Sequence, residues 1–352
     1  MMQHVNQRHG LSYRVRKFFF IFFTILTSGN RSAWYVFWIK FLQVVCLPLD
    51  YLFFLMEKIF LKQQGGKDLP MVCVVGIHRT GSTMVSQFLA DTFPFFPIGN
   101  FSTLFRKSSF IPYRLAIPFY RQGRKKSYRN YYGISTGLFA IGDAYEFWDQ
   151  WLGRDHYTAG GLTDPSKAES LKRHFANIYR ACHRPLITKN NRNSLMIDDF
   201  YRLFPNAFFI VVEREALSVI RSTVKASRDF FGMGNLWGLL PDEMFDPDSF
   251  ENMQEAATVQ YLELKRKIGV QLQNLPEENY VKVSYEEFCR NPEHVQQHIL
   301  EKLGSKYGIS SRNVVFKDPS ISSSTRLENS EVDEQIRYYL DKWTNLYPDH
   351  MA

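Results

Sequence analysis

Gly76-Ile77-His78-Arg79-Thr80-Gly81-Ser82-Thr83 gathers two glycines, a histidine, an arginine and three hydroxyl side chains into eight residues. The spacing is GxxxxG followed by two hydroxyl residues. In a loop of that kind the backbone N–H groups, backed by a helix N-terminus, form a cradle for an anion. The lysine that a nucleoside-triphosphate enzyme needs before its Ser/Thr is replaced by Ser82, and the positive charge sits inside the loop at Arg79. No strand closes on an acidic residue placed to help hold magnesium, and a later apolar run ends Glu213-Arg214. The loop suits an anion rather than a magnesium nucleotide. Taken alone it serves equally well as a mere strand-to-helix turn, but a second constellation accompanies it. Arg214 follows the apolar run 207–212, and Ser222 stands eight residues later. An arginine at a strand's carboxyl edge and a serine on the next helix can converge on one phosphate. Two such sites suit a nucleotide with phosphate groups at both ends.

These residues need a scaffold that brings strand ends together. Met71-Val72-Cys73-Val74-Val75 is short, β-branched and wholly apolar, as a buried parallel strand is. Pro185-Leu186-Ile187-Thr188, Ala207-Phe208-Phe209-Ile210-Val211-Val212 and Tyr280-Val281-Lys282-Val283 read as three more strands. Helical spacing fills 84–92, 169–181, 217–228 and 253–274 between them. Alternating strands and helices predict an α/β fold, a P-loop-like parallel sheet flanked by helices on both faces. Gln63-Gln64-Gly65-Gly66-Lys67 reads as a linker, which divides the chain into residues 1–66 and a catalytic domain over 67–352.

The first region is apolar and basic. Residues 18–27 form an apolar run behind Arg14, Arg16 and Lys17, and 33–61 a longer one interrupted by Lys40, Gln43, Asp50, Glu57 and Lys58. The first is too short to span a bilayer and the second too charged for an easy span. A signal peptide fits in outline, but no small-residue cleavage site follows the first run. The pattern predicts an amphipathic helical extension on the cytoplasmic side of a membrane, peripheral or monotopic, with basic residues toward anionic headgroups. The alternative is that these helices pack on the catalytic domain.

The net charge of +8 is concentrated. Residues 1–62 carry eight Lys/Arg against Asp50 and Glu57, and 92–142 contain no acid but eight basic residues, from Arg106 to Arg129. This implies an anionic partner and marks a basic insertion around 101–142, where Pro112 and Pro118 suggest a lid. Cys46, Cys73, Cys182 and Cys289 lack CxxC spacing, and the nine histidines lack HExxH clustering. No metal site is indicated, and a reducing compartment is favoured.

Several segments then resemble one family. Arg79-Thr80-Gly81-Ser82-Thr83 resembles the 5′-phosphosulfate loop of sulfotransferases that use 3′-phosphoadenylyl sulfate (PAPS), and Arg214 with Ser222 resembles their 3′-phosphate motif. Phe204-Pro205-Asn206-Ala207-Phe208-Phe209-Ile210 is similar to the strand lead-in of the broad microbial branch, and Lys189-Asn190-Asn191-Arg192-Asn193-Ser194 to the strand end before it. Phe231-Gly232 with Trp237-Gly238-Leu239-Leu240-Pro241, and Val283-Ser284-Tyr285-Glu286-Glu287-Phe288, extend the resemblance over about 71–304.

The resemblance implies transfer of a sulfuryl group from PAPS to an acceptor hydroxyl without a metal. It implies that Arg79, Thr80, Gly81, Ser82 and Thr83 hold the phosphosulfate, Arg214 and Ser222 the 3′-phosphate, Tyr285 the adenine, and Lys189 the leaving oxygen. The histidine that some relatives use as general base is Asn191 here. Glu146, beside large aromatics that would raise its basicity, is the first candidate, with Asp143 and His78 as alternatives. The basic insertion and N-terminal region favour a glycolipid, lipid or polysaccharide acceptor. Competing classes are a P-loop phosphotransferase and a non-catalytic membrane-surface or RNA-binding protein. No RNA module accompanies the basic stretches, so no nucleic-acid partner is expected.

Overall fold

The computed structural model describes residues 31–61, 68–123, 128, 130–131, 134–162, 164–231, 236–316 and 330–345. The apolar run 18–27, the 63–67 linker and the cluster Arg124, Lys125, Lys126 and Arg129 lie outside the described residues.

Five strands form one parallel sheet: β1 (Met71–Val75), β2 (Phe96–Ile98), β5 (Leu186–Lys189), β6 (Ala207–Glu213) and β7 (Tyr280–Ser284), in the order β2-β5-β1-β6-β7. Asn130–Tyr131 (β3) pairs antiparallel with Ile134–Ser135 (β4) outside it. β1 is central because all five of its residues are apolar and buried, so neither face has to meet water. Met71, Cys73 and Val75 enter one core with Phe209 and Val211, while Val72 and Val74 enter the other with Phe208 and Ile210. β2 carries Pro97, which cannot donate to a ladder, and accordingly lies at an edge.

Helices cover both faces. α2 (Ser82–Thr92) follows β1, α8 (Ala216–Phe231) follows β6, and α9 (Met253–Gln273) precedes β7. α10 (Tyr285–Arg290) and α11 (Pro292–Tyr307) follow β7, and α12 (Ser330–Thr344) packs on α8 and α9 through the Arg221–Asp333 ion pair and a Lys342–Glu255 hydrogen bond of 2.7 Å. The basic stretch 101–142 is woven into the domain. Phe101, Leu104, Tyr113 and Tyr120 are core residues, and the Tyr120 hydroxyl donates to the Ala90 and Phe95 carbonyls. It includes α3 (Asn100–Leu104) and α4 (Ile111–Ala116).

One helix, α1, runs from Arg31 to Phe60. Three of its polar residues face the protein: Gln43, Asp50 and Glu57 are buried at seven-residue intervals. The Asp50 carboxylate accepts the backbone N–H groups of Arg106, Lys107 and Ser108 and the Ser108 hydroxyl. Glu57 accepts the N–H groups of Ser109, Phe110 and Ile111 and so caps α4. Ile39, Leu42, Cys46 and Phe53 pack on the domain beside them, and the other apolar side chains face outward, with Val44 at 66% exposure and Ile59 and Phe60 at 75%.

Candidate active site at the carboxyl ends of the strands

The loop after β1 is shaped by backbone positions that most residues avoid. Gly76 has φ +148°, and a Cβ there would meet the Val212 carbonyl oxygen at 2.5 Å, so β1 leaves the sheet hard against β6. Ser194 secures this exit twice: its Oγ accepts from the Gly76 N–H and donates to the Gly76 carbonyl, both at 2.9 Å. Arg79 adopts a left-handed φ of 66°, a costly choice for a residue with a Cβ. Thr80 Oγ1 donates back to the Ile77 carbonyl at 2.7 Å, and Gly81, at φ +90°, delivers the chain into α2. Ser82 and Thr83 are the buried first residues of that helix, where N–H groups lack intrahelical acceptors.

The second constellation meets the first. Arg79 Nε donates to Ser222 Oγ at 2.9 Å, and Arg214 Nη1 donates to the Arg79 carbonyl at 3.1 Å. The Arg214 guanidinium lies 4.8 Å from the centre of the Tyr285 ring. That ring closes on the loop itself, since a Cβ on Gly81 would lie 2.2 Å from it. Burial pushes the Tyr285 phenol up to about 12. Residues distant in sequence thus become neighbours at the ends of β1, β6 and β7.

At the end of β5, Lys189 is almost wholly buried and its Nζ donates to Asp143 Oδ1 at 2.9 Å. The same carboxylate oxygen accepts the Asn191 N–H at 3.0 Å, and the Asp143 carbonyl accepts from Asn190 Nδ2 at 2.9 Å. Ala144, left-handed at φ 46°, turns the chain from this anchor into α5 (Tyr145–Leu152). Glu146, in the first turn of α5, faces another way and pairs with Lys40 of α1. The two candidate carboxylates therefore have different partners: Asp143 the strand-end lysine, Glu146 a lysine from the N-terminal helix.

His78 is buried under Gly238, where a Cβ would lie 2.6 Å from the imidazole, and its Nδ1 accepts the Leu239 N–H at 3.3 Å. Burial, then the nearby Arg79 and Lys189 charges, push its pKa down to about 3. It is buried between the loop and residues 237–240.

Two contributors carried no role in the sequence reading. Ser194 lies within the Lys189 to Ser194 segment, but only its contact with Gly76 reveals what it does. Arg192, fully buried, donates to the Leu152, Gly153 and Thr158 carbonyls and so caps the end of α5.

An open parallel sheet with a glycine-turned loop after its central strand, and an arginine at the end of the neighbouring strand, defines a P-loop-like α/β protein. The sequence model of the sulfotransferase family matches residues 70–308, and the chain belongs to that family. No curated protein matches the chain. Among solved structures it is similar to sulfotransferase STF1 from Mycobacterium tuberculosis H37Rv, at 12% identity over 85% of this chain and 84% of that one, with a TM-score of 0.48. Sulfotransferase STF9 from Mycobacterium avium gives 18% identity, 81% and 69% coverage and a TM-score of 0.42. The sulfotransferase domain from the curacin biosynthetic pathway gives 14%, 79% and 99%, and 0.41. These superpositions are too loose to carry an argument about the reaction.

Proposed function

We propose that the protein transfers a sulfuryl group from PAPS to the hydroxyl of a glycolipid, lipid or polysaccharide, without a metal, at the cytoplasmic face of a membrane. The observation that carries the reading is the contact of Arg79 with both Ser222 and Arg214, which joins two anion-binding features into one surface. In this reading Arg79, Thr80, Gly81, Ser82 and Thr83 receive the 5′-phosphosulfate. Arg214 and Ser222 take the 3′-phosphate, with Tyr285 beside the adenine.

The reaction is an in-line displacement: the acceptor oxygen forms a bond to sulfur as the bond from sulfur to the nucleotide phosphate breaks. Charge accumulates on the bridging oxygen, and positioned cations lower that barrier. Lys189 serves this role, its ammonium already oriented by Asp143. The acceptor proton passes to a carboxylate, for which Glu146 is our assignment and Asp143 the alternative. Glu146 must exchange Lys40 for the acceptor hydroxyl, whereas Asp143 would have to release Lys189 and the Asn191 N–H.

Calorimetry with 3′-phosphoadenosine 5′-phosphate, the product nucleotide, tests the donor assignment. We expect tight binding indifferent to magnesium or a chelator, and sulfur-35 transfer from labelled PAPS. Preference for a magnesium nucleoside triphosphate would overturn it.

A further inference from the structure

We infer that the acceptor is an amphiphile presented from a lipid leaflet. Its headgroup hydroxyl reaches Glu146 while its tails stay in the leaflet on which α1 lies. The inference rests on the sulfuryl-transfer reading for the bond made, and on α1 for where the substrate comes from.

The first support is the second, outward apolar side of α1, present in addition to the Ile39, Leu42, Cys46 and Phe53 side that packs on the domain. In a helix resting on a soluble domain the apolar stripe turns inward. Here the two acids, Asp50 and Glu57, are buried against backbone amides, and the outward side carries Trp38, Phe41, Val45, Leu52, Ile59 and Phe60, all more than half exposed. With both carboxylates turned inward, the charges left to the flank of this helix are basic: the exposed Lys58, and Lys40, whose ammonium pairs with Glu146. An apolar face about 33 Å long, flanked by lysine, complements an anionic lipid surface.

The helix also cannot be a span that merely tethers the domain. The stretch 37–60 is long and apolar enough to cross a bilayer. Yet it is fastened to the domain from Tyr35, which hydrogen-bonds Asn100 and Gly137, to Glu57. Upright insertion would carry Asp50, Glu57 and the 106–111 backbone into hydrocarbon, where each unsatisfied group costs heavily. Lying flat in one leaflet keeps every one of these bonds.

The third support is that the same helix walls the candidate acceptor side. Lys40 holds Glu146, and Asp50 holds the Arg106 N–H while the Arg106 carbonyl accepts Gln150 Nε2 of α5. One helix thickness plus a lysine side chain separates the lipid-facing surface from the Glu146 carboxylate, on the order of 10–15 Å. A short oligosaccharide headgroup spans that distance without leaving its leaflet. A free polysaccharide would have no use for the apolar face.

The test uses the full chain with Cys46 and Cys289 changed to serine and phosphatidylcholine–phosphatidylglycerol vesicles. Fluorophores are attached singly at Glu146→Cys, Leu52→Cys and, on the opposite face of the sheet, Glu301→Cys. We expect headgroup nitroxides to quench the label at 146, acyl-chain nitroxides the label at 52, and neither the label at 301. The triple change Val45→Glu, Leu52→Glu, Ile59→Glu should abolish vesicle binding and leave product-nucleotide affinity unchanged. With labelled PAPS, sulfur-35 should enter the lipid extract of the source cells and not their polysaccharide fraction. An unquenched label at 146 on vesicle-bound protein, or label in polysaccharide, overturns the inference. Loss of product-nucleotide binding, or label in neither fraction, strikes the sulfuryl-transfer reading instead.

Discussion

Arg214 stands between the loop carbonyl of Arg79 and the Tyr285 ring, so its loss removes a charge without removing a core side chain. Arg214→Ala should cost roughly 1.5–3 kcal/mol of affinity for the product nucleotide. It should cost almost nothing for adenosine 5′-phosphate, which lacks the 3′ group; equal losses in calorimetry would misplace that site. The two carboxylates give a second residue-level contrast. Glu146→Gln should lower kcat by about 10²–10⁴-fold with nucleotide affinity unchanged, as loss of a general base does. Asp143→Asn removes the charge that orients buried Lys189 and disturbs the Asn191 N–H. It should weaken donor binding and turnover together and lower stability by about 1–3 kcal/mol. Should Glu146→Gln turn over normally while Asp143→Asn binds nucleotide but is inactive, the proton belongs to Asp143. Sequence could name both acids but not separate them, because the separation comes from Lys40 and Lys189, more than forty positions away from each.

At the scale of elements, β1, β6 and the helices after them were readable because burial on both faces demands unbroken apolar runs. β2 was not: three residues with a proline in the middle carry no periodicity, and only pairing with β5 makes Phe96–Ile98 a strand. α1 shows a different limit. Its composition suggested a helix with an apolar side, yet which side would meet the protein depended on amides at 106–111 that periodicity does not see. Those amides make a prediction. Glu57→Ala strips the N-terminus of α4 of its acceptor and leaves buried N–H groups unpaired. Urea unfolding should report a loss of about 1–3 kcal/mol, with Glu57→Gln losing less because the amide oxygen still accepts. A neutral Glu57→Ala would mean α1 is not seated on the domain in solution.

For the molecule as a whole, pH is the informative variable. His174 sits in the core against Phe147 and Trp151, its Nε2 finds no hydrogen-bond partner among the described residues, and burial pushes it down to about 3, as it does His78. Above pH 6.5 both folded and unfolded chains hold these rings neutral. Below it the unfolded chain takes up protons that the native protein refuses, so stability falls from about pH 6.5 toward pH 3. Each ring adds up to about 1.4 kcal/mol per pH unit to that slope. His174→Phe should flatten the acid limb by one such share while leaving the midpoint at pH 8 nearly unchanged. Denaturation midpoints at pH 8, 6 and 5 measure it, and an unaltered slope would show that His174 titrates normally.

The buried acids of α1 also set an order of events during synthesis. Asp50 and Glu57 leave the ribosome roughly fifty residues before the amides at 106–111 that receive them, several seconds at ordinary elongation rates. Through that interval the nascent helix shows water an apolar side and two unpartnered carboxylates. The chain therefore calls for a chaperone, or a lipid surface, before its own domain exists to hold it. Recombinant yield should depend on what is offered to the first sixty residues rather than on the stability of the finished protein.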